Sequence, residues 1–271
     1  MSHKTIIRIL TFIAILFFFT PLTSVHADNF IRVTATATAS WPCGDTWSNA
    51  CPLQTALTYA AAGNEIWVAA GSYRPTTGTD RSATFQLKSG VALYGGFAGT
   101  ETLRTQRNPA TNVTILSGDI GTVEDNSDNS YHVVTGANGA TLDGLTITAG
   151  NANSGDSVCP SDACGGGMLN YAVSPTVTNV IFSGNSASHA GGGMANISQN
   201  LIYPSDPVLS NVTFFSNFSG WGGGMYNYFN SPNLTNVTFR ANGGGLGGAM
   251  YNDETASPSL TNVTFNGNSG G

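Results

Sequence analysis

The sequence predicts an all-β solenoid of stacked parallel coils, preceded by one short helix. The main observation is a unit that occurs four times between residues 165 and 271. Each unit opens with a glycine-rich run, a Met and an Asn two residues later, and closes with a Phe and an Asn three residues later. The four Phe residues are separated by 32, 25 and 26 residues: Phe182, Phe214, Phe239 and Phe265. Repeats of this length are typical of stacked arrays, in which each unit buries its apolar face against its neighbours.

Within each unit, short strands meet at a corner. The first unit has Val177, Val180 and Phe182. The last two lie two residues apart and therefore point to the same face of a strand, whereas the offset of three residues before them implies a bend. Asn occupies the bend in every unit, at Asn179, Asn211, Asn236 and Asn262. Because Asn tolerates left-handed backbone, we predict sharp corners there and a ladder of stacked amides. The richness in Gly and Asn and the lack of a 3.6-residue period disfavour a helical solenoid.

Residues 1–27 are predicted to form a secretory signal peptide. Lys4 and Arg8 precede an apolar run over residues 9–19, followed by Pro21 and a small-residue cleavage site that ends at Ala27. The alternative, a transmembrane anchor, needs about twenty apolar residues, which is more than this run provides. We therefore predict a protein that is secreted or displayed at the cell surface or outer membrane, with no transmembrane segment in this chain.

The remaining chain is predicted to contain an N-terminal cap region at 28–63 and a solenoid at 64–271. Pro52 and the apolar residues after it predict the short helix, which would cover the open first coil. Four early apolar pairs, counted with the four repeats, predict eight coils and a stack about 40 Å tall. These pairs are Ile66/Val68, Val91/Leu93, Val113/Ile115 and Leu145/Ile147. Because Gly271 directly follows a complete repeat, we expect a solenoid that is truncated at its C-terminus.

The four Cys residues form two close pairs, Cys43/Cys51 and Cys159/Cys164. In an exported protein, such pairs favour two local disulfides. Metal binding is the alternative, but neither pair has CxxC spacing or a nearby His in the sequence. The regions most able to bind a partner are the long loops at 118–130, 149–164 and 198–206, because solenoids carry their functional variation in such insertions.

The repeats also carry a resemblance. The alternation of Phe-x-x-Asn with Gly-Gly-Ala/Gly-Met resembles the short motifs of the chlamydial polymorphic membrane proteins. The segments 64–71, 93–97 and 141–147 are similar to right-handed parallel β-helix proteins of the pectin-lyase-like superfamily. This resemblance implies a right-handed parallel β-helix. It leaves activity open, since the fold hosts lyases, hydrolases, adhesins and autotransporter passengers.

Charge restricts the classes of partner. After removal of the signal peptide, 7 basic residues remain against 15 acidic ones, which argues against nucleic acid and anionic polymers as ligands. A pectate-lyase mechanism needs a Lys or Arg base beside calcium-binding Asp residues. After Arg107, the only Lys or Arg is Arg240, and its place in a repeat predicts an outward, solvated side chain. The lyase machinery is therefore not transferred to this chain.

No catalytic or cofactor-binding residue is predicted, and the metal question stays open. The densest acidic patch, residues 124–129, could bind calcium, but it lacks the glycine and terminal Glu of a calcium loop, which favours a solvated loop. Asp143 is expected to serve a turn. We predict an adhesin-like or structural passenger that binds a polysaccharide or a host or cell-surface ligand. The alternative is a polysaccharide lyase or glycoside hydrolase, which would require Asp119, Asp125, Asp128, Asp143 and either His132 or His189 to converge.

Overall fold

The computed structural model describes residues 29–199 and 204–270. The predicted signal peptide lies outside the described residues. Within the described part, the strands form four stacked sheets of eight, seven, six and four strands, here called sheets A, B, C and D. All strand pairings are parallel. The fold is therefore the parallel β-helix solenoid that the sequence predicts.

The first three coils are the least regular. Coil 1 holds β1 (Phe30–Val33) and the helix α1 (Leu53–Tyr59). Coil 2 holds β2 (Glu65–Ala69), β3 (Gly71–Tyr73) and β4 (Phe85–Gln86). Coil 3 holds β5 (Ala92–Phe97), a 3₁₀ turn (Arg104–Gln106), β6 (Thr114–Ser117) and β7 (Val134–Thr135). Helix α1 buries Leu53, Ala56 and Leu57 and contacts β1, β2 and β4, as expected of the predicted cap.

The later coils repeat closely. Coil 4 holds β8 (Thr141–Asp143), β9 (Thr146–Thr148), β10 (Asn151–Ala152) and β11 (Met168–Tyr171). Coil 5 holds β12 (Thr176–Thr178), β13 (Ile181–Ser183), β14 (Ser186–Ala190) and β15 (Met194–Ile197). Coil 6 holds β16 (Val208–Ser210), β17 (Thr213–Phe215), β18 (Phe218–Trp221) and β19 (Met225–Tyr228). Coil 7 holds β20 (Asn233–Thr235), β21 (Thr238–Arg240), β22 (Gly243–Leu246) and β23 (Met250–Asp253). Coil 8 holds β24 (Ser259–Thr261) and β25 (Thr264–Asn266).

In each of coils 4 to 7 the chain passes through sheets A, B, D and C in that order. The described residues form eight coils, which is the predicted number, but one of the pairs used to count them was assigned wrongly. Val113 and Ile115 lie in the sheet B segment of coil 3. Val91 and Leu93 lie in the sheet A segment of the same coil, so the two pairs mark one coil and not two. Val113 is 47% exposed, and the inward residues there are Thr114 and Leu116. The missing coil is supplied by β1, which pairs with β2 inside sheet A.

The interior consists of columns of identical or similar side chains. In sheet B, Phe182, Phe214 and Phe239 are fully buried, and successive rings from Phe182 to Phe265 stack with centroids 5.0, 4.8 and 5.2 Å apart. In sheet C, four Met residues lie in register: Met168, Met194, Met225 and Met250. Because parallel coils are spaced by about 4.8 Å, equivalent apolar side chains cover each other completely along the stack.

Asn ladders run along the solenoid. The four predicted corner Asn have positive φ angles of 52 to 56° and donate amide hydrogen bonds in sequence, from Asn262 to Asn236, Asn211 and Asn179. The predicted corner and ladder are thus confirmed. Two further ladders lie inside the solenoid. One joins Asn185, Asn217, Asn242 and Asn268, and the other joins Asn170, Asn196, Asn227 and Asn252.

The glycine-rich runs allow successive coils to approach each other. At Gly223, an added Cβ would collide with the carbonyl oxygen of Gly243 in the next coil. Gly222 has a φ of 60°, which glycine adopts without strain. These glycines allow the connection between sheets D and C to lie close to the next coil. The close approach sets the position of the strand that follows.

Candidate functional site

The acidic residues singled out from the sequence serve local structure. Asp119 forms an ion pair with Arg74, with 3.0 Å between Oδ2 and Nη2. Asp125 accepts hydrogen bonds from the hydroxyl and the backbone N–H of Ser127, which hold the pKa of its carboxyl below the usual range. Asp128 accepts the backbone N–H of Thr122. In the described structure, no hydrogen bond or ion pair joins two of these carboxylates. Asp119 pairs with Arg74, and Asp125 and Asp128 accept hydrogen bonds from their own loop.

Asp143 ends the corner ladder. Its Oδ1 accepts the amide of Asn179 at 2.9 Å and its Oδ2 pairs with Arg107 at 2.6 Å, with both charged side chains largely buried. The left-handed corner residue in this coil is the following Gly144, with a φ of 77°. This position agrees with the turn role expected from the sequence. The predicted outward side chain of Arg240 is exposed and lies 4.3 Å above the ring of Phe215.

The two His residues occupy different environments. His132 is buried, with Nδ1 3.1 Å from the carbonyl oxygen of Gly165 and Nε2 3.3 Å from Asp162. Burial lowers the pKa of His132, although both of these neighbours raise it. His189 is half-buried and lies against the ring of Trp221, with centroids 4.6 Å apart. Asp119, Asp125, Asp128 and Asp143 therefore do not converge on either His through the contacts that the structure describes.

The structure instead brings together aromatic residues on the outer face of sheets C and D. In β19 and β23, Met and Asn point inward, so the residues that alternate with them point outward. These outward residues are Tyr226 and Tyr228 in β19 and Tyr251 and Asp253 in β23. Tyr226 lies in register with Tyr251, and Tyr228 lies in register with Asp253. The rings of Tyr226 and Tyr251 are nearly parallel, with centroids 6.2 Å apart.

Sheet D supplies the other side of this site. Trp221, at the end of β18, lies 5.7 Å from the ring of Tyr251 and 6.4 Å from the ring of Tyr226. His189 in β14 lies beside Trp221. Trp221, Tyr226 and His189 border a pocket of about 300 Å³, here called the aromatic pocket, and Tyr251 packs beside it. The residues that line it are Ser157, Val158, Cys159, His189, Trp221, Tyr226, Tyr228, Asp253 and Glu254.

One wall of the aromatic pocket comes from the long loop before β11. The predicted disulfide between Cys159 and Cys164 is confirmed, and it fastens this loop to itself. Cys164 also forms a strand-like bridge to Ala190, and the backbone N–H of His189 donates to the carbonyl oxygen of Ala163 at 3.0 Å. With the contact of His132 to Asp162, these bonds hold the insertion against sheet D. One of the three loops proposed from the sequence as a binding region therefore lines the site.

Comparison with known proteins gives a family but no activity. A family model described as "Protein of unknown function (DUF1565)" matches residues 45–220. The chain belongs to this family. No curated protein and no solved structure matches it. In this member of the DUF1565 family, the matched region contains the loop wall and His189, whereas Trp221 and the Tyr residues of the pocket follow it.

The charged groups of the aromatic pocket are both acidic. Asp253 Oδ2 accepts the hydroxyl of Tyr226 at 3.0 Å, and burial together with Asp253 raises the pKa of that hydroxyl. Burial lowers the pKa of His189, which outweighs the opposite effect of Asp253, so His189 is neutral at neutral pH. The lining therefore carries two negative charges, from Asp253 and Glu254, and contains no Lys or Arg among the described residues.

The pocket is not a thiolate metal site. Cys159, Cys164 and His189 bring their ligand atoms within 4.8 Å of one another. Both Cys sulfurs are consumed in the disulfide, and a thiolate is the form of Cys that binds metal. This agrees with the sequence-based preference for disulfides at both Cys pairs, since Cys43 and Cys51 are also joined.

Sequence reasoning missed the aromatic residues of the pocket. The Met-x-Asn-x pattern itself contained the signal, because its x positions must face outward when Met and Asn face the interior. In β19 both outward positions are Tyr, whereas the equivalent positions in β15 are Ala195 and Ile197. A search for aromatic residues at the outward positions would have found the site.

Proposed function

We propose that this protein is a secreted or cell-surface β-helix that binds a polysaccharide at the aromatic pocket. The single observation that carries this proposal is the open, aromatic-lined pocket on the outer face of a stacked sheet. The faces of aromatic rings attract the partly positive C–H groups of a sugar ring, and the pocket's carboxylates accept hydrogen bonds from hydroxyl groups. Together these groups suit a ligand with one apolar face and a polar rim.

Export and surface display are part of the proposal. The predicted signal peptide supports them, and two disulfides are typical of an oxidising, extracytoplasmic location. No helix in the described part of the chain is long and apolar enough to cross a membrane. The formal net charge of −6 argues against nucleic acid as the partner.

A binding role is favoured over polysaccharide cleavage. The lyase mechanism weighed from the sequence needs a Lys or Arg base, and the lining described above has neither. A hydrolase needs two carboxyl groups on opposite sides of the glycosidic bond. Asp253 and Glu254 are consecutive residues, and Asp253 is already engaged by the hydroxyl of Tyr226.

A pair of Tyr variants provides the test. Tyr228 lines the pocket, whereas Tyr171 lies in the same outward column of sheet C, two coils away, and is 41% exposed. The purified chain without residues 1–27 is titrated calorimetrically with a panel of neutral, acidic and amino polysaccharides. We expect Tyr228→Ala to weaken binding roughly ten-fold, about 1.4 kcal/mol, and Tyr171→Ala to leave it unchanged.

The same mixtures are assayed for new reducing or unsaturated ends, with and without calcium. Binding without new ends supports the proposal. Turnover that is lost in Tyr228→Ala would replace it with the enzymatic alternative at the same site. Equal weakening in both Tyr variants, or no binding to any polysaccharide, would refute the assignment of the aromatic pocket.

A further inference from the structure

The charges of the aromatic pocket select among saccharides. Its two ionised groups are Asp253 and Glu254, and its lining, in the described part of the chain, offers no cation to balance them. Asp253 is partly satisfied by the Tyr226 hydroxyl and the backbone N–H of Glu254. The Glu254 carboxylate is exposed and accepts no hydrogen bond from the described residues. An anionic polymer would be repelled here, and a neutral one would leave the negative charge unbalanced.

The aromatic rings favour the same sign of ligand charge as the carboxylates. The face of an aromatic ring attracts a cation within about 6 Å of its centre, and Trp is the strongest of the three aromatic residues in this respect. Trp221 and Tyr228 line the pocket together with the two carboxylates. Rings and carboxylates therefore both stabilise a positive charge in the same pocket.

The kind of cation follows from hydrogen bonding. A primary ammonium group has three N–H donors, whereas a quaternary ammonium group has none. The exposed oxygens of Glu254 can accept hydrogen bonds from a ligand, and a charged donor gives shorter and stronger hydrogen bonds than a neutral one. A protonated amine attached to a sugar ring would pair with Glu254 while the ring covers an aromatic face.

We infer that the aromatic pocket binds a saccharide bearing a free primary ammonium group, as in a polymer of glucosamine. Glu254 accepts hydrogen bonds from the ammonium group, and the negative charge of Asp253 adds attraction. Trp221 and Tyr228 contact the sugar rings. This inference rests on the proposed polysaccharide binding and names the ligand class for that site.

The chain contains a matched control for the key carboxylate. Glu254 and Glu124 are both exposed, and both have left-handed backbone, with φ angles of 51° and 66°. Glu254→Gln and Glu124→Gln therefore remove one charge each from similar backbone conformations, and only the first lies in the pocket. The retained fold of each variant is checked by circular dichroism and by its thermal midpoint.

The experiment compares three probes at slightly acidic pH: a glucosamine tetramer, the N-acetylated tetramer and choline. For the unmodified chain, we expect the glucosamine tetramer to bind at least ten-fold more tightly than the N-acetylated tetramer, with a preference that falls as salt is raised. We expect Glu254→Gln to reduce this preference several-fold and Glu124→Gln to preserve it.

The unfavourable outcomes are distinguishable. If the N-acetylated tetramer binds as tightly as the amine, the ammonium inference is overturned while polysaccharide binding stands. If choline binds as tightly as the glucosamine tetramer, the pocket recognises an ammonium group without a sugar, and the inference is overturned in its saccharide part. If none of the polysaccharides or probes binds, both the inference and the proposed function are rejected.

Discussion

Replacement of Asn217 by Ala tests whether the buried amide ladders hold the solenoid together. Asn217 is 1% exposed and lies between Asn185 and Asn242. Its Oδ1 accepts the backbone N–H and the side-chain amide of Asn185 at 3.1 and 3.0 Å. Its Nδ2 donates to Asn242 Oδ1 at 3.0 Å and to the carbonyl oxygen of Phe182 at 2.9 Å. One side chain thus connects three coils.

The expected cost follows from the groups that lose a partner. Asn185 Nδ2 keeps its hydrogen bond to Ile147, and Asn242 Oδ1 keeps the backbone N–H of Asn217. The backbone N–H of Asn185 and the carbonyl oxygen of Phe182 lose the bond to Asn217. Phe182 lies in β13, which pairs with β17, so its carbonyl oxygen stays in the backbone ladder of sheet B, and the N–H of Asn185 is the group left unsatisfied. Leaving a buried polar group unsatisfied costs about 1–3 kcal/mol, so we expect a loss of roughly that size. This is a large share of the typical 5–15 kcal/mol of a folded domain.

The matched control is Asn236 in the exposed corner ladder. It bonds to Asn211 and Asn262 and has a φ of 56°. Asn236→Gly removes the amide without backbone strain, and water replaces its partners, so we expect a change within about 0.5 kcal/mol. Both variants are unfolded in urea and followed by circular dichroism, and their midpoints are compared at constant slope. An Asn217→Ala loss no larger than that of Asn236→Gly would refute the structural role of the buried ladder.

Two further predictions concern the Phe column and pH. Phe214→Ala removes a buried ring that stacks on both sides, so it should lower the free energy of unfolding by about 3–5 kcal/mol. Phe265→Ala removes a ring that is 49% exposed and stacks on one side, so the loss should be about 1–2 kcal/mol. Equal urea midpoints would contradict this. Because burial holds the pKa of His132 below 6.5, the unfolded chain binds more protons as pH falls through that value, so stability should decrease there. This loss of stability should be smaller in His132→Gln. If the variant lost as much stability over the same pH range as the unmodified chain, His132 would not be its source.

Interior positions were predictable from the sequence because each one repeats. The columns of Phe and Met must lie one above another once the coils are parallel, since a shift by one residue would turn every side chain to the other face. The corner Asn were predictable because left-handed backbone restricts the residue type. The two buried ladders were not foreseen. A lone buried Asn would be unfavourable, and only stacking in register supplies each amide with both a donor and an acceptor.

The early coils were harder to predict because their corners and loops differ. Val113 and Ile115 alternate as an inward pair would, yet Thr114 and Leu116 face the interior of β6. Thr114 satisfies its hydroxyl there by donating to backbone carbonyl oxygens of Val68 and Ala69 and accepting the N–H of Gly96. Hydrogen bonds of this kind decide the register, and they depend on chain segments far away in the sequence.

The aromatic pocket is formed by outward side chains, whose identity the repeat does not restrict. Along sheet C, the inward positions stay Met and Asn from β11 to β23, while one outward column changes from Leu169 to Ala195, Tyr226 and Tyr251. An outward side chain does not have to fit the next coil, so its identity is free to serve a ligand. The coils beneath are held by the Met column and by an Asn ladder, which fixes the backbone of the strands that carry the rings. A binding surface built on such strands has little conformational entropy to lose when a ligand binds.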